Sequence, residues 1–141
     1  MRVSELINLW VKSINFENNL IWINRLKGGL SFEHPILGDE KRAIKRYLRT
    51  REKIDNSPYL FINERMDQFF RKTINYIINT AAKKAKLDNV HPHTLRHSCG
   101  YYMANKGTDL RTMQDYLGHR DPKHTVIYTQ ISGSRFESIW E

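Results

Sequence analysis

Between His91 and Gln130 the chain holds two imidazoles, a guanidinium and a phenol in a fixed order: His93, Arg96, His119 and Tyr128. His93 and Arg96 stand three residues apart, so on a helix both project from one face. Leu117-Gly118-His119 reads as the end of a further helix, and Tyr128 follows His119 by nine residues. A guanidinium does not deprotonate in a protein and meets phosphate oxygens with paired donors. An imidazole titrates near neutrality and can move a proton. A phenol held among such groups is a candidate nucleophile. The set points to phosphoryl transfer onto a tyrosine. Each residue taken alone has a plainer use: Tyr128 beside Val126 and Ile127 as packing, and His119 after a glycine as a cation at a helix C-terminus. His93 and His97, four apart, have zinc-ligand spacing, but no glutamate adjoins His93 and there is no cysteine cluster, so no metal is assigned. His97 reads instead as a core imidazole or one that supports the site, Tyr76 as packing, and His34, His91 and His124 receive no role.

The elements that must position these groups are mostly helical. Met1 to Trp10 reads as a helix with Val3, Leu6, Ile7 and Trp10 on one face. Ile14 to Leu37 is the one strong β region: Leu20 to Ile23 is rich in β-formers, Lys27-Gly28-Gly29 is a turn signal, and Leu30 to Ile36 returns, with a short third strand near Ile14 to Phe16. Asp39, a candidate N-cap, opens an amphipathic helix to Ile54 with Ala43, Ile44, Tyr47 and Leu48 inward. Asn56-Ser57-Pro58 is a turn, and Tyr59 to Ile62 an extended buried segment. Met66 to Leu87 reads as the longest helix, with Phe69, Phe70, Ile74, Ile77, Ile78 and Ala81 as its core stripe. Pro92 precedes a helix over His93 to Lys106 that Gly107 closes; Asp109 caps Leu110 to Leu117; Pro122 starts a helix over Lys123 to Thr129 that carries Tyr128. The expected class is mainly α with a small antiparallel β-sheet, α+β, in one domain over residues 1–141.

Composition narrows the partner. A net charge of +8 favours a polyanion, nucleic acid above all, although charge runs are often only solvated faces. The single cysteine, Cys99, excludes an intramolecular disulfide and reads as a buried small residue in a reducing compartment. No apolar run approaches the roughly 20 residues of a membrane span and no signal peptide is apparent, so a cytoplasmic protein is expected.

Several motifs in order resemble the tyrosine recombinases of the phage integrase family. HPHTLRH, then LGHR, then a tyrosine nine residues on, is similar to that family's C-terminal signature. RVSEL at Arg2 to Leu6 resembles its first-arginine motif, and RLKGG at Arg25 to Gly29 its hairpin lysine. Within the family the chain resembles the fimbrial phase-switch recombinases, through HPHTLRHSCGY, QDYLGHR, HTVIYT and the terminal RFESIWE. The resemblance covers essentially the whole chain. It implies a catalytic domain that begins one residue before the first arginine, without the helices that precede it in the family.

The resemblance also implies roles. Tyr128 attacks phosphorus to give a 3′-phosphotyrosyl link and a free 5′ hydroxyl. Arg2 and Arg96 grip the non-bridging oxygens. His93 assists the phenol proton, His119 donates to the phosphate, and Lys27 protonates the leaving oxygen. Glu5, three residues after Arg2, could orient an arginine. No cofactor or metal is expected, because the arginine pair fills the charge role. The implied partners are double-stranded DNA with inverted-repeat sites and further copies of the chain, a tetramer on DNA joined through the C-terminal tail, in the bacterial nucleoid. The reaction is site-specific strand cleavage and rejoining, expected to invert DNA controlling fimbrial expression. Alternatives are an inactive DNA-binding or regulatory fragment, a type IB topoisomerase (disfavoured by the short gap before the tyrosine), and a protein–protein module, which leaves the ordered basic and phenolic set unexplained.

Overall fold

A computed structural model of the chain describes residues 1–25, 31–51 and 56–130. In order, these residues form α1 (Val3–Ile7), a 3-10 turn (Val11–Ser13), β1 (Ile14–Asn15), β2 (Leu20–Ile23), β3 (Phe32–Pro35), α2 (Gly38–Arg51), α3 (Arg71–Lys84), α4 (Pro92–Asn105), α5 (Leu110–Leu117) and α6 (Lys123–Thr129). The α+β class and the third strand are as the sequence implies. Lys27, residues 52–55 and the tail from residue 131 lie outside the described residues. Among the described residues no helix is long and apolar enough to cross a membrane.

The sheet is antiparallel in the order β1-β2-β3, with Ile21 opposite His34 and Ile23 opposite Phe32. Strand alternation sends Ile21, Ile23 and Arg25 inward and Trp22 and Asn24 outward. Ile21 and Ile23 join Leu9, Ile36 and Leu60 in an aliphatic core that Ile44 and Leu48 of α2 cover. A second core lies between α4, α5 and α6: Ala104, Met113, Leu117 and Tyr128.

Local chemistry sets most boundaries. His91 is the N-cap of α4, Pro92 its first residue, and the Thr94 hydroxyl accepts from the His91 amide at 3.3 Å. The Asp109 carboxylate accepts from the Thr112 amide at 2.9 Å and caps α5.

Several expectations need correction. The first helix is one turn and a half, not Met1 to Trp10, because residues 9–11 are drawn out to pair with 58–60: Leu60 N donates to Leu9 O at 2.7 Å and Val11 N to Pro58 O at 2.9 Å. Trp10 is accordingly exposed. The helix expected from Met66 starts at Arg71, since the Asn63 side chain caps a turn by accepting from the Arg65 and Asp67 amides at 2.9 and 3.0 Å. Its stripe is only partly covered: Ile74 is buried, whereas Phe70, Ile77 and Ala81 are exposed. Asp39 lies in the first turn of α2 rather than at its cap, and Ala43 faces out. Tyr76 is exposed, and Cys99 is half-buried.

Candidate active site

The C-terminal end of α5 gathers the site. The last carbonyls of a helix have no partner within it and form the negative end of its dipole. Here the Gly118 and His119 amides return to the Asp115 and Gln114 carbonyls, at 3.1 and 3.0 Å, as a left-handed glycine permits (Gly118 φ +66°). The next three carbonyls each meet a different arginine. Tyr116 O accepts from Arg25 Nη2 at 2.9 Å, Leu117 O from Arg96 Nη2, and Gly118 O from Arg2 Nη2 at 3.1 Å. Three guanidiniums from separate parts of the sequence therefore converge on one helix end.

Arg96 is 7% exposed, yet its Nη1 has no partner among the described residues. A buried unpartnered N–H of a cation is costly to leave unmet, and an anion is its natural complement. Burial and the neighbouring Arg2 press the Arg96 guanidinium below its ordinary value. Glu5 restrains Arg2. Its Oε1 accepts from Arg2 Nη1 at 3.2 Å and its Oε2 from the Arg2 amide at 2.6 Å, while Oε2 also pairs with Arg25 Nη1 at 2.9 Å. Burial alone would raise the Glu5 carboxyl; the Arg2 amide and the Arg25 charge outweigh it and hold it below the ordinary range.

His119 follows Gly118, and its Nδ1 lies 2.8 Å from the Thr125 hydroxyl of α6. Burial, then Arg96 and Arg2, push it down to about 4, so it is neutral at neutral pH. Where Thr125 donates, the His119 proton sits on Nε2, free to donate in turn. The His119 ring stacks alongside the Tyr128 ring, with centroids 6.3 Å apart.

Tyr128 is 2% exposed. Its hydroxyl meets His97 Nδ1 at 2.8 Å, and its ring lies edge-on to Tyr101. Gly100, one turn from His97, makes the pocket: a Cβ there would stand 2.7 Å from the phenol ring. Burial raises the Tyr128 hydroxyl above its ordinary value despite Arg96, so the phenol holds its proton and needs an acceptor to react. His97 is already in contact with it. His93 lies edge-on to His97, centroids 4.3 Å apart, and is lowered by burial, then by His97 and Arg96.

Of the residues singled out from the sequence, Arg2, Arg96 and His119 meet at the end of α5, and Tyr128 packs beside His119, with His93 one imidazole further out along α4. Lys27 is outside the described residues. Sequence reasoning gave His97 only a supporting place, whereas it is the hydrogen-bond partner of the phenol. It also passed over Arg25, whose place two residues after Ile23 on the inward face was readable from alternation.

A family model described as the phage integrase family matches residues 1–135. The chain belongs to the phage integrase family. Within it, the chain is 41% identical over 143 residues to the type 1 fimbriae regulatory protein FimB of Escherichia coli (strain K12), covering 99% of this chain and 72% of FimB. The crystal structure of XerA recombinase matches with a TM-score of 0.84 at 30% identity, over 99% of this chain and 52% of that one. XerH site-specific recombinase, in a post-cleavage complex with a palindromic difH substrate, matches with a TM-score of 0.84 at 27% identity, over 99% of this chain and 42% of XerH. The chain thus spans about half the length of these solved recombinases, and its fold is that of a tyrosine recombinase catalytic domain.

Proposed function

We propose that this chain is the catalytic unit of a site-specific tyrosine recombinase of the fimbrial phase-switch type, which cuts and rejoins duplex DNA. The observation that carries the reading is the cluster of cations at the end of α5, where the buried Arg96 keeps one Nη1 without a partner among the described residues, next to Arg2 and His119. A scissile phosphate there would receive Arg96 and Arg2 on its non-bridging oxygens and a hydrogen bond from His119, charge stabilisation of the kind phosphoryl transfer requires.

The Tyr128 oxygen bonds to phosphorus as the bond from phosphorus to the 5′ oxygen breaks. The phenol proton passes to the imidazole pair, His97 in contact and His93 beside it, and Lys27 supplies the proton that the 5′ oxygen takes up. The product is a 3′-phosphotyrosyl ester and a free 5′ hydroxyl. The ester keeps the bond energy, so rejoining needs no nucleotide. Inverted-repeat DNA sites, a tetramer of this chain on them held by the C-terminal tail, work on the nucleoid in the bacterial cytoplasm, and inversion of a segment governing fimbriae complete the reading; FimB, a fimbriae regulatory protein by name, supports the last.

A second reading has an observation in its favour. Tyr128 is almost fully enclosed, so an inactive DNA-binding fragment would look the same unless α6 can release the ring. Nicked suicide DNA separates the two. The recombinase reading expects covalent capture by the chain, lost in Tyr128→Phe with DNA affinity retained. Binding without capture by the unaltered chain would leave the fragment. Affinity should also fall steeply with salt, since each phosphate contact releases counterions; a flat salt response would remove any nucleic-acid role.

A further inference from the structure

Arg25 has no part in the steps above, yet its side chain is wholly enclosed. Its fork makes three directed contacts: Nη1 to Glu5 Oε2 at 2.9 Å, and Nη2 to Tyr116 O at 2.9 Å and to His34 Nε2 at 2.8 Å. A guanidinium has donors only, so His34 accepts at Nε2 and keeps its proton on Nδ1. The Phe32 ring centroid lies 4.8 Å from the Arg25 guanidinium, and Gly118 comes so close that a Cβ there would stand 2.6 Å from Cζ. Gly118 is therefore required twice, for its positive φ and for the closeness of Arg25.

We propose that Arg25 is a positioning residue for the phosphate-binding end of the site: it fixes Arg2 through Glu5 and the Gly118-His119 turn through the Tyr116 carbonyl, with His34 as the neutral acceptor that aligns its fork. The proposal rests on reading the chain as a strand-transfer enzyme. Glu5 Oε2 serves both Arg25 Nη1 and the Arg2 amide, while Oε1 serves Arg2 Nη1, so the rotation of one carboxylate sets where Arg2 points. Arg2 also bonds Gly118 O, two residues beyond the carbonyl that Arg25 holds. Lysine at position 25 would keep the charge but, as a compact ammonium, could not span Glu5, His34 and Tyr116 in the same plane. A displacement of the phosphate grip of about 1 Å is enough to slow such a reaction about 100-fold.

The test compares two suicide substrates under single-turnover conditions: an ordinary phosphodiester, and one whose scissile linkage is a neutral methylphosphonate. An arginine matters less when the linkage carries no charge to neutralise. Arg25→Lys should form adduct about 100-fold more slowly than the unaltered chain on the phosphodiester, with DNA affinity within about 3-fold. On the methylphosphonate its deficit should shrink to a few-fold. A deficit of equal size on both substrates means a generally loosened fold and overturns the proposal, as does no deficit at all. If Arg25→Lys does not fold, His34→Leu should show the same substrate dependence, and His34→Gln, which keeps an acceptor, should restore the rate; equal rates for the Leu and Gln variants would also overturn it. The unaltered chain is the control on the underlying reading. If it forms no adduct with the phosphodiester, strand transfer itself fails, a result distinct from a reactive chain indifferent to position 25.

Discussion

The molecule has two cores of contrasting chemistry. Under the sheet, Leu9, Ile21, Ile23, Ile36 and Leu60 enclose one another with aliphatic carbon alone. Between α4, α5 and α6, the equally buried Tyr128 carries a hydroxyl into the packing and satisfies it on His97. The first arrangement serves stability. In the proposed reading the second stores the nucleophile, held by one hydrogen bond and by ring contacts with Tyr101 and His119, against a helix end crowded with cations. Burial of a polar group next to unpartnered donors, rather than burial itself, is what marks the second core as chemical.

The contrast breaks most sharply at Tyr128 itself. Tyr128→Phe should reduce covalent capture of suicide DNA to background while lowering the urea-derived stability by only about 1 kcal/mol, the net worth of one hydrogen bond. Ile23→Ala in the aliphatic core should do the reverse: a loss of about 2–5 kcal/mol in equilibrium unfolding, with the adduct rate per folded molecule unchanged. Gly100→Ala sharpens the comparison. Alanine favours an exposed helix position, but here the added carbon would stand 2.7 Å from the phenol ring, so the expected outcome is a destabilisation of about 1–3 kcal/mol together with a slower or altered adduct rate.

The smallest effect is in pH. His34 and His119 are both held at about 4 in the folded chain, by burial first and then by Arg25 or Arg96, against an ordinary value of 6.5. As pH falls below 6.5 these two imidazoles take up protons in the unfolded chain that they refuse in the folded one, so their contribution lowers stability from about pH 6.5 down to about 4 and is flat above that window. Each imidazole should contribute about 1 kcal/mol of loss between pH 7 and 5.5. His34→Gln should flatten the curve by one imidazole's share in denaturant titrations at a series of pH values.

Much of this was legible where one local rule decides. Alternation gave β2 its inward isoleucines, Asp109 marked the start of α5, and Gly107 the end of α4, at a φ of +72°. Prediction failed where distant chain intervened. The first helix stops early because residues 9–11 are claimed by residues 58–60, and α3 starts late because Asn63 turns the chain ahead of it. In the site, residue types and order singled out His93, Arg96, His119 and Tyr128, and the family resemblance added Arg2, but neither foretold that three carbonyls of one helix end would each take an arginine. That convergence, and the contact of His97 with the phenol, belong to tertiary packing that spacing does not encode.

The proposed reaction requires the buried Tyr128 phenol to reach a phosphate held at the end of α5. The direct measurement is to react the unaltered chain with nicked suicide DNA, digest the adduct, and locate the modified residue by mass spectrometry. The prediction is a nucleotide joined through its 3′ phosphate to Tyr128 and nowhere else. No adduct, or one carried by Tyr101 or Tyr102, would contradict it.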